Sequence, residues 1–306
     1  MRFYLVDRIQ KVVPGERIAA VKVVSRLDPV LEEHPVAGCC LASTLALEAL
    51  NQVSAWLILA TSDFSRRGVL GGFRTITVGR PAPVGGRLEL RSQAEEWSDE
   101  AVIFKSEAVI LKRLDPATSV VGDPVIQVEG ALCLLIDASK LEDPIQTRDH
   151  YQFLQPGADA PADGPGAAPQ PAPAIPDHTI SSGYPSYDVI QQCVPGELAT
   201  ARKSVAMTDP IFATHFPRFP VMPGVLMMQG IVDLSRALLG HGQSWQPKVF
   251  QNVRFRRYVR PGDEVAFTVR LLALSGDEAR LSGRAAVDSE DAVVIRSMVL
   301  APAAKG

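Results

Sequence analysis

The stretch His215-Phe216-Pro217-Arg218-Phe219-Pro220-Val221-Met222-Pro223-Gly224-Val225-Leu226-Met227-Met228 decides how the rest of the chain is read. Its prolines, Pro217, Pro220 and Pro223, hold the residues after His215 in a turn. The step Pro223-Gly224 then opens directly into a mostly apolar run, Val225 to Leu239, with no internal proline. Such a run predicts a helix. An imidazole therefore sits beside a helix start, where the first backbone N–H groups lack partners within the helix and can hold a negative or polarised oxygen. Together these groups suit removal of a proton from carbon next to a carbonyl. Read alone, the same residues would also serve as a proline-rich turn before a buried helix.

Working outward, the stretch belongs to the second copy of a repeat. A displacement of 181 residues places Asp7, Ile9 and Gln10 on Asp188, Ile190 and Gln191. Val13-Pro14-Gly15-Glu16 falls on Val194-Pro195-Gly196-Glu197, and Asp28-Pro29 on Asp209-Pro210. His34 falls on His215 and Glu48 on Gln229. This register runs unbroken from Asp7 to Glu48, which points to internal duplication. Between the copies, from Gln155 to Pro176, Pro, Ala, Gly and Asp replace the large apolar residues a core needs, as in a solvated tether. The expected organisation is residues 1–153, a tether at 154–180, and residues 181–306.

Both copies predict the same elements. A strand pair flanks the Pro-Gly-Glu turn, a long buried helix follows, and alternating strands complete each half. In the second half these are Val249 to Arg257, Glu264 to Leu272, Glu278 to Val287 and Ala292 to Pro302. In the first they are about Leu70 to Val78, Arg87 to Glu96, Ala101 to Leu111 and Val128 to Ile136. A helix apolar on most sides must be covered all round, and an antiparallel sheet curling about it does so.

At 306 residues the chain is long enough for two domains, and a net charge of −3 gives no basic field for nucleic acid. The N-terminus carries Asp7 too early, and too short an apolar run, for a signal peptide. Leu41 to Ala60 comes nearest to a membrane span but is interrupted by Ser43, Thr44, Glu48, Asn51, Gln52 and Ser54. A soluble, cytoplasmic protein without a membrane span is expected. Cys39, Cys40, Cys133 and Cys193 form no CxxC pair, no histidine cluster has metal-ligand spacing, and reduced packing cysteines are expected.

The segment from His215 to Met228 resembles the active-site segment of the 3-hydroxyacyl-ACP dehydratases of fatty acid synthesis. The resemblance implies the hotdog fold, here an α+β double hotdog of two curled antiparallel sheets, each wrapping a long central helix. In that family two hotdogs pack side by side, the histidine of one facing a carboxylate on the central helix of the other. The carboxylate lies fourteen residues after the histidine, where this chain has Glu48 after His34 but Gln229 after His215. Leu47-Glu48-Ala49-Leu50-Asn51-Gln52 resembles the family's Glu-Ala-Leu-x-Gln stretch. The implied arrangement is one working site per chain, His215 with Glu48. The His34 and Gln229 pair lacks an acid, since an amide cannot donate a proton as a carboxylic acid does. It also has Ser43 where Gly224 stands in the repeat, so a side chain obstructs close backbone approach.

The resemblance assigns His215 as base, Glu48 as acid and the Gly224 N–H as the group that polarises the thioester carbonyl. It implies that a carbonyl at Val221 holds the histidine ring, with Val221, Phe219, Pro223 and Val225 lining the substrate site. Leu226, Met227 and Met228 face the acyl tunnel or the core. No metal or organic cofactor is implied. The acyl group would arrive on the phosphopantetheine arm of an acidic acyl carrier protein. Arg254 and Arg256, on one strand face, and Arg218 beside His215 are candidates to receive that partner. Ordinary solubilising charge would look the same. A second copy of the chain is a further partner open to it. Rival readings are a thioesterase or coenzyme A ester hydratase on the same fold, since fold does not fix function, and a non-catalytic acyl-binding protein. Asp233, one helical turn beyond Gln229, is an alternative acid for the second pair. His150, His178 and His241 fall in or near expected loops and receive no role.

Overall fold

The computed structural model describes residues 3–111, 122–155, 184–240 and 242–303. The expected tether falls largely outside the described residues, as do His178 and His241.

In the first half, β1 (Arg8–Val13) and β2 (Arg17–Val23) precede a hairpin of β3 (Leu31–His34) and β4 (Gly38–Leu41). Helix α1 (Ser43–Thr61) follows, then β5 (Arg66–Val78), β6 (Ala82–Pro83), β7 (Arg87–Trp97), β8 (Ala101–Ile110), β9 (Pro124–Asp137) and helix α2 (Pro144–Leu154). The second half has β10 (Val189–Val194), β11 (Leu198–Ser204), helix α3 (Gly224–Leu239), β12 (Trp245–Phe255), β13 (Glu264–Ser275), β14 (Glu278–Val287) and β15 (Glu290–Pro302).

The duplication extends to backbone irregularities. Gly15 and Gly196, in the matching turns, take φ of +76° and +77°. The β1–β2 register shifts between Ile9 and Lys11, and the β10–β11 register shifts at the equivalent Ile190 and Gln192. Later bulges, at Ala94/Glu96 in β7 and Leu271/Ala273 in β13, lie 177 residues apart, so four positions separate this offset from the earlier 181.

The sequence reading gives two sheets; among the described residues the main sheet is continuous. Its twelve strands run β1-β2-β7-β8-β9-β5-β12-β15-β14-β13-β11-β10, the second half mirroring the first. Antiparallel pairing of β5 with β12, from Thr77 opposite Val249 to Gly72 opposite Arg254, makes the join. The physical reason is that each half leaves one strand edge unpaired at this point, and joining the two satisfies both. Helix α1 packs on β2, β5, β7, β8 and β9, helix α3 packs on the matching strands of its own half, and the two helices touch.

Helix α1 buries most of its length, including Leu45, Leu47, Leu50, Val53, Leu57 and Ile58. The apolar run nearest to a membrane span is therefore a core helix, and no described helix is long and apolar enough to cross a membrane. At the start of α3, a Cβ on Gly224 would meet the Phe255 ring at 2.3 Å, so only glycine lets β12 close on the helix. Helix α2 is absent from the sequence expectation, and His150 lies on it rather than in a loop. Its apolar Ile145 and Phe153 are 73% and 83% exposed, so no apolar stripe announces it. The available signal is Asp143-Pro144, an N-cap whose carboxylate accepts from the Ile145 N–H at 3.0 Å, followed by proline at N1.

Candidate active site

Local sequence builds the His215 turn in two steps. Asp209 caps a short 3-10 turn, Pro210–Ala213, by accepting from the Ile211 N–H at 3.0 Å. The chain then folds back so that the Val221 N–H donates to the His215 carbonyl at 3.2 Å. His215 Nδ1 lies 2.8 Å from the Val221 carbonyl. A carbonyl can only accept, so Nδ1 carries the proton and the neutral ring presents an unprotonated Nε2. Phe216 lies against the ring at 4.5 Å between centroids and the edge of Phe3 approaches at 6.0 Å. Burial lowers the imidazole pKa to about 4, with the Arg67 charge adding to the effect and the Val221 hydrogen bond opposing it. By surface area His215 is only half-buried, because it opens into a cavity; the surrounding protein still withholds bulk solvation.

Glu48 lies within α1 and is 7% exposed. Gln52 Nε2 donates to its Oε1 at 3.2 Å and Asn51 Nδ2 to its Oε2 at 3.4 Å. Burial raises the carboxyl to about 7, against the opposing influence of those two donors and Arg67. Gln52 also donates to the Phe3 carbonyl at 3.0 Å and accepts from the Leu5 N–H at 2.9 Å. The Phe3 N–H donates to Thr214 Oγ1 at 2.8 Å. Residues Phe3 to Leu5 thus fasten the helix bearing Glu48 to the turn bearing His215, a connection no local motif signals.

Glu48, His215 and Gly224 line one cavity of about 680 Å³ between the halves. One face of α1 (Glu48, Gln52, Ala55, Leu59) and one face of α2 (Thr147, His150, Leu154) with its N-cap Asp143 flank it, at the spacing expected of helix neighbours. Trp56 meets His150 edge-on at 5.4 Å, and Tyr4 meets the same ring at 4.4 Å. Val221, Met222, Met227, Arg218, Arg256 and Arg257 also line it, together with Arg67, Cys133 and Glu142, to which the sequence assigned no place at the site. The spacing of Ala55, Trp56 and Leu59 after Glu48 could have found the α1 face. Nothing local signals Arg67.

Other expected residues are placed elsewhere. Val225 is buried in the core; Leu226 and Met228 are buried there too, one of the two placements expected of them. Pro223 caps α3 without joining the cavity wall. Phe219 packs against Tyr258 at 5.3 Å and beneath Arg260 at 4.2 Å. The reason is geometric: successive residues entering a helix point about 100° apart, so Gly224 and Met227 can face a cavity that Val225 and Leu226 do not. Arg254 is exposed near the end of β12, outside the cavity wall.

The second pair diverges. His34 ends β3 in a tight hairpin and its Nδ1 accepts from the Val36 and Ala37 N–H groups, each at 3.2 Å. Gln229 is engaged by Glu32, Asp233 and Thr44 at 2.8, 3.0 and 2.5 Å. Arg236 grips both Glu32 oxygens at 2.8 and 2.9 Å and Asp233 at 3.0 Å. Ion pairs fill the position where a second site would open. An acid at 229 would add a third carboxylate to this cluster, whereas the amide both donates and accepts. Asp233 is likewise committed to this network and to Ser186. Among the described residues no group of three or more His, Cys, Asp or Glu is placed to hold a metal ion.

The ApeI-like family, described as ApeI dehydratase, matches residues 191–290. The 3-hydroxyacyl-acyl-carrier-protein dehydratase FabZ of Oceanobacillus iheyensis is 32% identical over 108 residues, covering 34% of this chain and 77% of that protein. Among solved structures, the dehydratase GphF, in a variant made for improved crystallization, covers 99% of this chain and 100% of its own at a TM-score of 0.56 and 14% identity. The 12:0-ACP thioesterase from Umbellularia californica covers 92% of this chain and 93% of its own at a TM-score of 0.51 and 9% identity. At such identities the two structural matches establish the fold alone.

Proposed function

The chain belongs to the hotdog dehydratase family of FabZ and ApeI-like proteins, and from that premise we propose that it dehydrates 3-hydroxyacyl thioesters to trans-2-enoyl thioesters at one composite site. In this reading residues 1–153 and 181–306 are two hotdog domains, each sheet curled about its helix, joined by a tether at 154–180. His215 removes a proton from C2, the Gly224 N–H steadies the charge that develops on the thioester oxygen, and Glu48 protonates the departing C3 hydroxyl. The substrate rides on an acyl carrier protein in fatty acid or polyketide-type synthesis, with Arg218, Arg254 and Arg256 facing that acidic partner.

The observation that carries this reading is the opposite tuning of two groups on one cavity. Burial takes His215 down to about 4, so it is a neutral base at pH 7. Burial takes Glu48 up to about 7, so a substantial fraction keeps its proton there. Titratable groups pushed apart in this way divide naturally into base and acid.

The test is to incubate the protein with 3-hydroxyacyl thioesters on carrier protein and on coenzyme A, following enoyl absorbance and free thiol together. Enoyl product is expected, with His215→Ala and Glu48→Gln each losing roughly a hundred- to ten-thousand-fold in rate. Free thiol without enoyl product would move the assignment to a thioesterase on the same fold. Binding without turnover would leave an acyl-binding protein.

A further inference from the structure

One charged side chain on the cavity has no part in the chemistry above. Arg67, on β5, has its Nε 3.1 Å from Glu142 Oε1, and both side chains are 15% exposed. Its guanidinium lies 5.4 Å from the centre of the Phe216 ring, which in turn lies against His215. Arg67, Glu48 and His215 all line the same cavity. Glu142 follows Leu141, whose carbonyl accepts from the Arg218 N–H at 3.1 Å, so the segment carrying it is docked on the His215 turn.

The proposed reaction changes the charge of this cavity. The C2 proton passes to Nε2 of His215 and the C–H electron pair becomes the C2=C3 bond. The C3–O bond breaks with its electrons going to oxygen, which takes the Glu48 proton and leaves as water. An imidazolium and a carboxylate remain where two neutral groups stood. A carboxylate newly formed in a buried site is costly unless a positive charge faces it. We propose that Arg67, ion-paired with Glu142, is a positioning residue that favours the state in which Glu48 has given its proton to the leaving oxygen and His215 has released the C2 proton to solvent, from which Glu48 is then reprotonated. This inference rests on the dehydration reading.

The effect of Arg67 on the resting groups has the required signs, since its charge lowers His215 and opposes the rise of Glu48. The other cationic side chains facing the cavity are each paired with a carboxylate. Arg218 pairs with Asp143 at 2.8 Å, Arg257 with Glu290 at 2.8 Å, and Arg256 lies 3.8 Å from Asp291. Burial raises Cys133 to about 12 and raises Tyr258, so both remain neutral. His150 packs between Tyr4 and Trp56.

The test compares Arg67→Gln, Arg67→Lys and Glu142→Gln in the full-length protein. Two readouts are taken: the pH profile of turnover, and the His215 ring titration followed by NMR without substrate. In Arg67→Gln the His215 midpoint and both limbs of the profile should move to higher pH, by about half a unit or more. Glu142→Gln should move them to lower pH, and Arg67→Lys should leave them near the parent values. A folded Arg67→Gln with unmoved His215 midpoint and limbs overturns the proposal. If that variant does not fold, the direction taken by Glu142→Gln decides: a downward shift supports the proposal and no shift overturns it. A parent protein that turns over no 3-hydroxyacyl thioester sinks the dehydration reading, and the NMR midpoint then decides the electrostatic coupling alone.

Discussion

Glu48 and His215 are perturbed by the same cause in opposite directions, because burial disfavours the charged form of each and the charged forms lie on opposite sides of titration. The proposed dehydration requires neutral His215 and protonated Glu48. The rate should therefore be highest between about pH 4 and about pH 7 and fall on both sides, as a pH profile of kcat/KM will read. The same shifts bear on stability. Folded Glu48 titrates near 7 rather than 4.5, so its contribution to folding is fully present below about 4.5 and is lost as pH rises through about 7. Gln at position 48 does not titrate. Relative to the parent, Glu48→Gln should gain on the order of 3 kcal/mol in unfolding free energy between about pH 4.5 and about pH 8. His215 contributes equally to both proteins and cancels. Denaturant unfolding at the two pH values measures this, and equal differences at both would contradict the assigned pKa.

Elements place these residues through details of their ends. Helix α3 begins at Gly224 because the Phe255 ring occupies the space a Cβ would need. Phe255 is itself wedged against Phe73 at 6.0 Å, so it cannot yield freely. Gly224→Ala should cost roughly 1–3 kcal/mol by overpacking and lower turnover, both read from one preparation by thermal unfolding and rate. The contrast between the repeats has the same origin. A capped 3-10 turn before His215 and three prolines after it reverse the chain beneath the imidazole; after His34, a four-residue closure ending at Gly38, with φ of +68°, makes a hairpin. The same histidine thus faces a cavity in one copy and its own turn in the other. Proline spacing made the first case legible in sequence, whereas α2 shows no apolar stripe because Ile145 and Phe153 lie exposed while Leu154 is buried.

At the scale of the whole molecule, the twelve-stranded sheet mirrors itself about the β5–β12 join, but among the described residues one of the two equivalent positions between helix and turn opens into a cavity of about 680 Å³ and the other into one of about 50 Å³. The other holds the Arg236–Glu32 pair. Arg236→Met would strand Glu32 as a buried charge, and a loss of about 3–5 kcal/mol is expected by denaturant unfolding, with turnover at the His215 cavity kept while the protein remains folded. If the working site forms within one chain, mixing His215→Ala with Glu48→Gln protein should restore no activity, and recovery on mixing would show that sites form between chains. Sequence by itself determined the duplication, the long central helix and flanking strands of each half and the His215 turn, because turn chemistry, periodicity and a repeated register act between near neighbours or identical copies. Tertiary structure alone decided that the half-sheets join, that Phe3 ties the two halves, that Arg67 and α2 wall the cavity, and that Val225 turns away from it. Those outcomes depend on desolvation and contact among residues tens to hundreds of positions apart, and no local pattern encodes which distant groups will share a buried space.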